Sequence, residues 1–363
     1  MEKLLELEDI VLIPADTNFG CKKSEFNFSV IDEVDKSLSL PIFTSPMPAV
    51  VSEKNWRTWN DNGIKPIIPR TTELELRLEA CEYIFAAFSI KEVIENFITN
   101  IKRNFNGFIR ICIDCGNGHD SEIFKVGTEL KRIYGPRVIT MAGNIGSPKV
   151  YPIYCKSLFD YVRIGMSSGS LVDEDRYGFH YPMASFLIDL VATINTTGIG
   201  LKHTKIIVDG GITTYSDILK CIALGADYVM IGRQFVKLVE ANGDLYRKDT
   251  SKKDITYEPF TQDIQQILKA SQDTIKSLGL FRLYSGNTTT EIRSLQEGYD
   301  DIHDSLRRKS FRYSDSRSEW IPVNNTLKNW LDGLYDVFTY GFTMAGAKCW
   351  KEYKSNIKPA RIR

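Results

Sequence analysis

The 363-residue sequence predicts an α/β protein, a parallel (β/α)8 TIM barrel with a lid or flap insertion towards its C-terminal part. Three observations point there. Eight short apolar runs recur along the first two thirds of the chain, stretches of helical period separate them, and small or polar residues directly follow several of them.

The runs are, in order, Leu40–Ser45 (LPIFTS), Gly63–Pro69 (GIKPIIP), Tyr83–Phe88, Phe108–Asp114 (FIRICID), Val138–Gly143 (VITMAG), Tyr161–Gly165 (YVRIG), Lys205–Gly210 (KIIVDG) and Tyr228–Gly232 (YVMIG). Each is short, apolar and rich in β-branched residues, as expected of a strand buried on both faces. Ser121–Tyr134, Tyr181–Thr196 and Tyr215–Leu224 carry the helical patterns between them. A doubly wound open sheet needs fewer strands and a Gly-rich fingerprint after the first, which is missing. From about Glu240 the alternation stops. Asn242–Phe260 is polar and reads as a surface flap or hairpin, and Ser310–Ser318 (SFRYSDSRS) reads as exposed. Helical period returns at Asn324–Thr339, with Leu327, Trp330, Leu331, Leu334 and Phe338 on one face. The expected organisation is one barrel domain over 1–363, an insertion at 240–320 and a C-terminal helix at 324–350.

Composition narrows the function classes. Lys+Arg and Asp+Glu are equal at 46 each, so no global field draws the chain to nucleic acid or to an anionic membrane. No apolar run approaches the roughly 20 residues of a membrane span. The acidic start, Met1-Glu2-Lys3-Leu4-Leu5-Glu6, does not resemble a secretory signal. Seven scattered cysteines, an odd number, suit free thiols in the cytoplasm. Cys112-Ile113-Asp114-Cys115 has the spacing of a metal pair but lies in a strand-like run without a second pair. The four histidines show no metal spacing, although His119 and His180 fall near the predicted mouth.

In a barrel the strand ends converge on the face where ligands bind. Four ends here carry small or polar residues: Asp114-Cys115-Gly116-Asn117-Gly118, Gly165–Ser170, Asp209-Gly210-Gly211 and Gly232-Arg233. Glycine-rich turns expose amides that hold phosphate, and a carboxylate such as Asp209 accepts from a ribose diol. Arg233 can add a charge-assisted contact to phosphate or pair with a carboxylate.

These ends, with other segments, resemble the IMP dehydrogenase/GMP reductase family over most of the chain. Ser45-Pro46-Met47-Pro48-Ala49-Val50 resembles its A-A-M-D-T-V segment, and Ile113–Gly118 its I-D-x-A-N-G strand end. Met141-Ala142-Gly143-Asn144-Ile145 is similar to its A-G-N-V turn, and Val208–Ile212 to its D-G-G strand end. Gly225–Gly232 resembles G-A-D-x-V-M-L-G, Tyr284-Ser285-Gly286 resembles Y-x-G, and Gly333–Tyr340 with Gly346-Ala347 resembles the family's last helix. The resemblance implies a purine nucleoside monophosphate held by Met47, Gly169, Ser170, Asp209, Gly210, Gly211, Gly232, Arg233, Tyr284 and Gly286. It implies a nicotinamide cofactor, NADPH or NAD, beside Asp114, Asn117, Gly118, Gly143 and Asn144, and a homo-tetramer or other homo-oligomer. A monovalent cation at the Gly165–Ser170 loop is the one metal expected. No CBS-type domain interrupts the barrel, and the length is closer to that of the reductase.

One loop departs from the family. Where relatives read G-x-G-S-x-C-T-T-R, with a cysteine that forms a thioimidate with the purine, the thiol position is Val172 counted from Gly169-Ser170, or Leu171 counted back from Tyr181-Pro182. Neither side chain is a nucleophile. Losing a covalent nucleophile costs on the order of 10⁴–10⁶ in rate. The expectation is therefore a purine-nucleotide enzyme whose chemistry does not use the thioimidate, with Asp173, Glu174 and Cys115 as candidate catalytic groups. The alternatives are an inactive nucleotide-binding relative with a regulatory or partner-binding role, and a redox-independent substitution or deamination at the purine.

Overall fold

The computed structural model describes residues 4–16, 25–99, 105, 107–166, 178–198, 204–249, 256–261, 264–286 and 318–362. The eight predicted runs are the strands of one parallel sheet: β1 (Ile42–Thr44), β2 (Ile67–Ile68), β3 (Phe85–Phe88), β4 (Ile109–Asp114), β5 (Val138–Ile145), β6 (Tyr161–Ile164), β7 (Lys205–Asp209) and β8 (Tyr228–Ile231). They pair in the order β1-β8-β7-β6-β5-β4-β3-β2. A parallel bridge between Phe43 and Lys65, just ahead of β2, brings the two edges together into an α/β barrel.

Alternation along the strands sorts the side chains. Phe43, Phe85, Tyr161 and Tyr228 come from strands that are not all neighbours, yet their rings meet at 5.2–6.0 Å between centroids. They belong with Met141 and Met230 to a cluster inside the ring. The outward residues, such as Ile111, Val162 and Val208, join the larger core under the helices.

The ring is stoppered at its N-terminal end. Asp32, in the turn between Val30–Ile31 and Leu38–Ser39, is 1% exposed. It accepts from Lys65 Nζ at 2.8 Å, Tyr161 Oη at 2.5 Å and Tyr228 Oη at 2.8 Å. Burial alone would raise the Asp32 pKa, but the charge and hydrogen bond of Lys65, with the Tyr161 hydroxyl, hold it below the usual value.

The helices start and stop for local reasons. Ser121–Tyr134 follows an Asp120 cap whose side chain accepts from the Glu122 amide, and ends at Gly135. Tyr215–Ala223 opens with a capping box between Thr214 and Asp217. Met183–Thr197 starts two residues later than predicted, after Pro182, and stops at left-handed Gly198.

After β8 the polar run predicted as a flap forms the hairpin β9 (Tyr246–Asp249) and β10 (Thr256–Pro259). With β11 (Leu280–Ser285) and β12 (Ser318–Val323) it makes a four-stranded antiparallel sheet in the order β10-β9-β11-β12. Arg282 of β11 is 1% exposed and donates to the carbonyls of Val236, Leu238, Val239 and Gly243, which moors this sheet to the segment after β8. The exposed stretch expected at Ser310–Ser318 lies outside the described residues except for Ser318, which is exposed. The helix expected over 324–350 is Leu327–Ala345, stopped by left-handed Gly346, and a second helix, Trp350–Asn356, follows. All five residues predicted on its apolar face are buried. Ile10–Ile13 pairs antiparallel with Lys358–Arg361, Ile10 opposite Arg361. Among the described residues no helix is long and apolar enough to cross a membrane.

Candidate functional site

Strand alternation directs Asp114 of β4, Arg163 of β6 and Asp209 of β7 into the ring at its C-terminal end, one layer above the aromatic cluster. Arg163, 6% exposed, joins the other two. Its Nη1 donates to Asp114 Oδ1 at 2.7 Å, and its Nη2 and Nε donate to Asp209 Oδ2 at 2.8 and 3.1 Å. Burial alone would lower the Arg163 pKa; the charges of Asp209 and Asp114 outweigh it and raise the value well above the ordinary one. Asn144 completes the group, donating from Nδ2 to Asp209 Oδ2 at 3.0 Å and to the Gly165 carbonyl at 3.3 Å. Its Oδ1 is buried without a hydrogen-bond partner among the described residues. A ligand donor would satisfy it.

The residues predicted on the cofactor side converge. The Gly118 amide donates to the Asn144 carbonyl at 3.0 Å, and Tyr154 Oη donates to the Gly118 carbonyl at 2.9 Å. Asn117 Oδ1 accepts from the His119 amide at 3.1 Å, and the Gly146 amide donates to His119 Nε2 at 2.9 Å. Gly143 has φ 140°, and a Cβ there would lie 2.4 Å from the Arg163 carbonyl. Only glycine fits.

On the side predicted for the substrate, Gly210 and Gly211 turn at φ 97° and 74° ahead of the Thr214-capped helix. Gly232 precedes the short helix Arg233–Val236. A Cβ on Gly232 would lie 2.5 Å from Tyr284 Oη and 3.1 Å from Ser45 Oγ, so Tyr284 of β11 stands directly over this turn. Gly286 follows β11 and is buried. Arg233, expected at the phosphate, is paired with Glu319 of β12. Met47 is half-buried against the core, and its carbonyl accepts from the amides of Val50 and Val51. Beside it a cavity of about 320 Å³ opens between Pro48 and Asn242.

Gly165 and Met166 begin the departing loop within the described residues, and the Gly165 amide donates to the Ile145 carbonyl at 3.3 Å. Gly169, Ser170, Leu171, Val172, Asp173 and Glu174 lie outside them. Cys115, the other candidate catalytic group, donates through Sγ to the Gly143 carbonyl at 3.5 Å. Burial, then the charge of Asp114, push its pKa up to about 11, and burial pushes Cys112 up to about 12. A thiol raised in this direction is less available as a thiolate nucleophile at neutral pH. Among the described residues no group of three His, Cys, Asp or Glu side chains is placed to hold a metal ion.

Sequence reading missed Arg163. The signal was present: a lone charged residue in an apolar strand, at the inward position two residues before Gly165.

Residues 83–258, spanning β3 to β8 and the first strands of the added sheet, match the model of the IMP dehydrogenase / GMP reductase domain. Over that stretch the chain is similar to the IMP dehydrogenase/GMP reductase family. It is 26% identical to a GMP reductase of Clostridium acetobutylicum over 339 residues, covering 91% of this chain and 98% of that one. GMP reductases of Staphylococcus carnosus and Shouchella clausii are 24% and 23% identical, again over 98% of their own lengths. Similarity to these relatives therefore runs through both the barrel and the segments after it.

Proposed function

We propose that the C-terminal mouth of this barrel binds a purine nucleoside monophosphate and acts on it without a cysteine thioimidate. The observation that carries the reading is the Asp114–Arg163–Asp209–Asn144 group, flanked by glycine turns at Gly210-Gly211 and Gly232. Asp209 receives the ribose, the turns receive the phosphate, and Met47 and Tyr284 border the base, with β11 and β12 as the lid. The half of the mouth around Asp114, Asn117, Gly118, Gly143 and Asn144 takes the nicotinamide end of NADPH or NAD. The names of the GMP reductase relatives support a purine nucleotide. Val172 at the family's thiol position by sequence, and the raised pKa of Cys115, argue against the family's covalent step.

A second reading, binding without turnover, draws on the same Cys115 observation. One set of measurements separates the two. Isothermal titration with GMP, IMP and dGMP is expected to show millimolar-or-better binding, and product analysis with NADPH present is expected to show conversion of one of them. Binding without product selects the second reading, and no binding removes both. Val172→Cys is expected to bring reductase activity up from background if the nucleotide and cofactor halves of the mouth work as this reading has them.

A further inference from the structure

Arg163 joins the two halves of the mouth. It reaches Asp114 at 2.7 Å on the half assigned to the cofactor and Asp209 at 2.8 Å on the half assigned to the nucleotide. Those carboxylates stand on β4 and β7, with β5 and β6 between them. A guanidinium is a rigid planar fork that holds two carboxylates in a fixed relative orientation; an ammonium is a point charge on a flexible stem. Being buried, Arg163 cannot exchange either carboxylate for bulk water without a large desolvation penalty. A turn of one carboxylate is therefore passed to the other.

We propose that Arg163 is a positioning residue that couples nucleotide binding to cofactor binding by transmitting the orientation of Asp209 to Asp114. The proposal rests on the nucleotide reading above. Asp209 Oδ2 takes three donors, Arg163 Nε and Nη2 and Asn144 Nδ2. A ribose diol on the same carboxylate pins it. That fixes the guanidinium plane and with it Asp114. It also fixes Asn144, whose carbonyl holds the Gly118 amide at 3.0 Å. The second ligand then meets groups already ordered and loses less conformational entropy on binding. The coupling is reciprocal by linkage.

Isothermal titration tests this with GMP and NADPH, each alone and each with the other saturating. GMP is expected to tighten NADPH by at least about fivefold, and NADPH to tighten GMP by the same factor. In Arg163→Lys and in Asp114→Asn both ligands weaken and the factor falls towards one. A purely structural role would weaken both ligands and leave the factor unchanged, and that result overturns the proposal. Circular dichroism confirms that each variant is folded. Should one variant fail to fold, the other decides. Independent binding of the two ligands to the unaltered protein overturns the coupling while the nucleotide reading stands; no binding of GMP or IMP overturns both.

Discussion

His119 shows how much one side chain can carry at this site. Its Nε2 accepts the Gly146 amide, so the ring is neutral with its proton on Nδ1, and partial burial lowers its pKa from 6.5. A protonated imidazole has no acceptor nitrogen. Because the folded value is the lower one, the stabilisation is present above the unfolded pKa and is lost as the pH falls through the folded one. The Gly146 amide is expected to lose hydrogen-exchange protection, measured by NMR, as the pH falls below 6.5. In His119→Phe that protection is expected to be low throughout. Constant protection in the unaltered protein over this range would refute the assignment. At this scale the sequence was only half readable. Asp114, Asn117, Gly118 and Asp209 stand out because they end apolar runs, whereas Arg163 is hidden inside one, and its partners lie 49 residues before it and 46 after it.

Among the elements, β11 is the one whose placement matters most to the mouth. It brings Tyr284 over Gly232, whose φ of −114° is open to any residue, so the conflict with a larger side chain there is purely spatial. Gly232→Ala is expected to destabilise the fold by about 1–3 kcal/mol and to weaken nucleotide binding. Removing the hydroxyl in Gly232→Ala/Tyr284→Phe should recover part of both losses, a positive interaction in a double-mutant cycle. Additive losses in denaturant titration and calorimetry would mean that the Tyr284 hydroxyl does not set the room at this turn. The sheet holding β11 was legible only as the polar hairpin at its edge. Its β11–β12 ladder joins Leu280–Ser285 to Ser318–Val323, and local periodicity carries no trace of a pairing so far apart.

At the scale of the whole molecule, all eight strands were readable because each is a continuous apolar run bounded by glycine, proline or a polar residue. A closed ring was expected from their number and spacing, but the contact that closes it was not legible, since it is a bridge at Lys65, outside the two-residue β2. Nor was the stopper. Asp32 sits in a polar turn that reads as loop, and its partners lie 33, 129 and 196 residues away. Asp32→Asn leaves Lys65 buried with Asp35, at 3.0 Å, as its remaining carboxylate among the described residues, and is expected to cost about 3–5 kcal/mol in urea unfolding. The sign with pH follows from the depressed Asp32 pKa: its stabilisation is present above the ordinary carboxylate value and is lost as the pH falls through the folded one. The variant should therefore show a shallower acid limb than the unaltered protein, and equal limbs would show that the stopper does not hold the ring.

The pairing of Ile10–Ile13 with Lys358–Arg361 has a mechanical consequence. Since Ile10 faces Arg361, the two flanking segments leave from the same edge of that ladder. Tension drawn through them would peel it apart rung by rung, like a zip, instead of loading all its hydrogen bonds in shear.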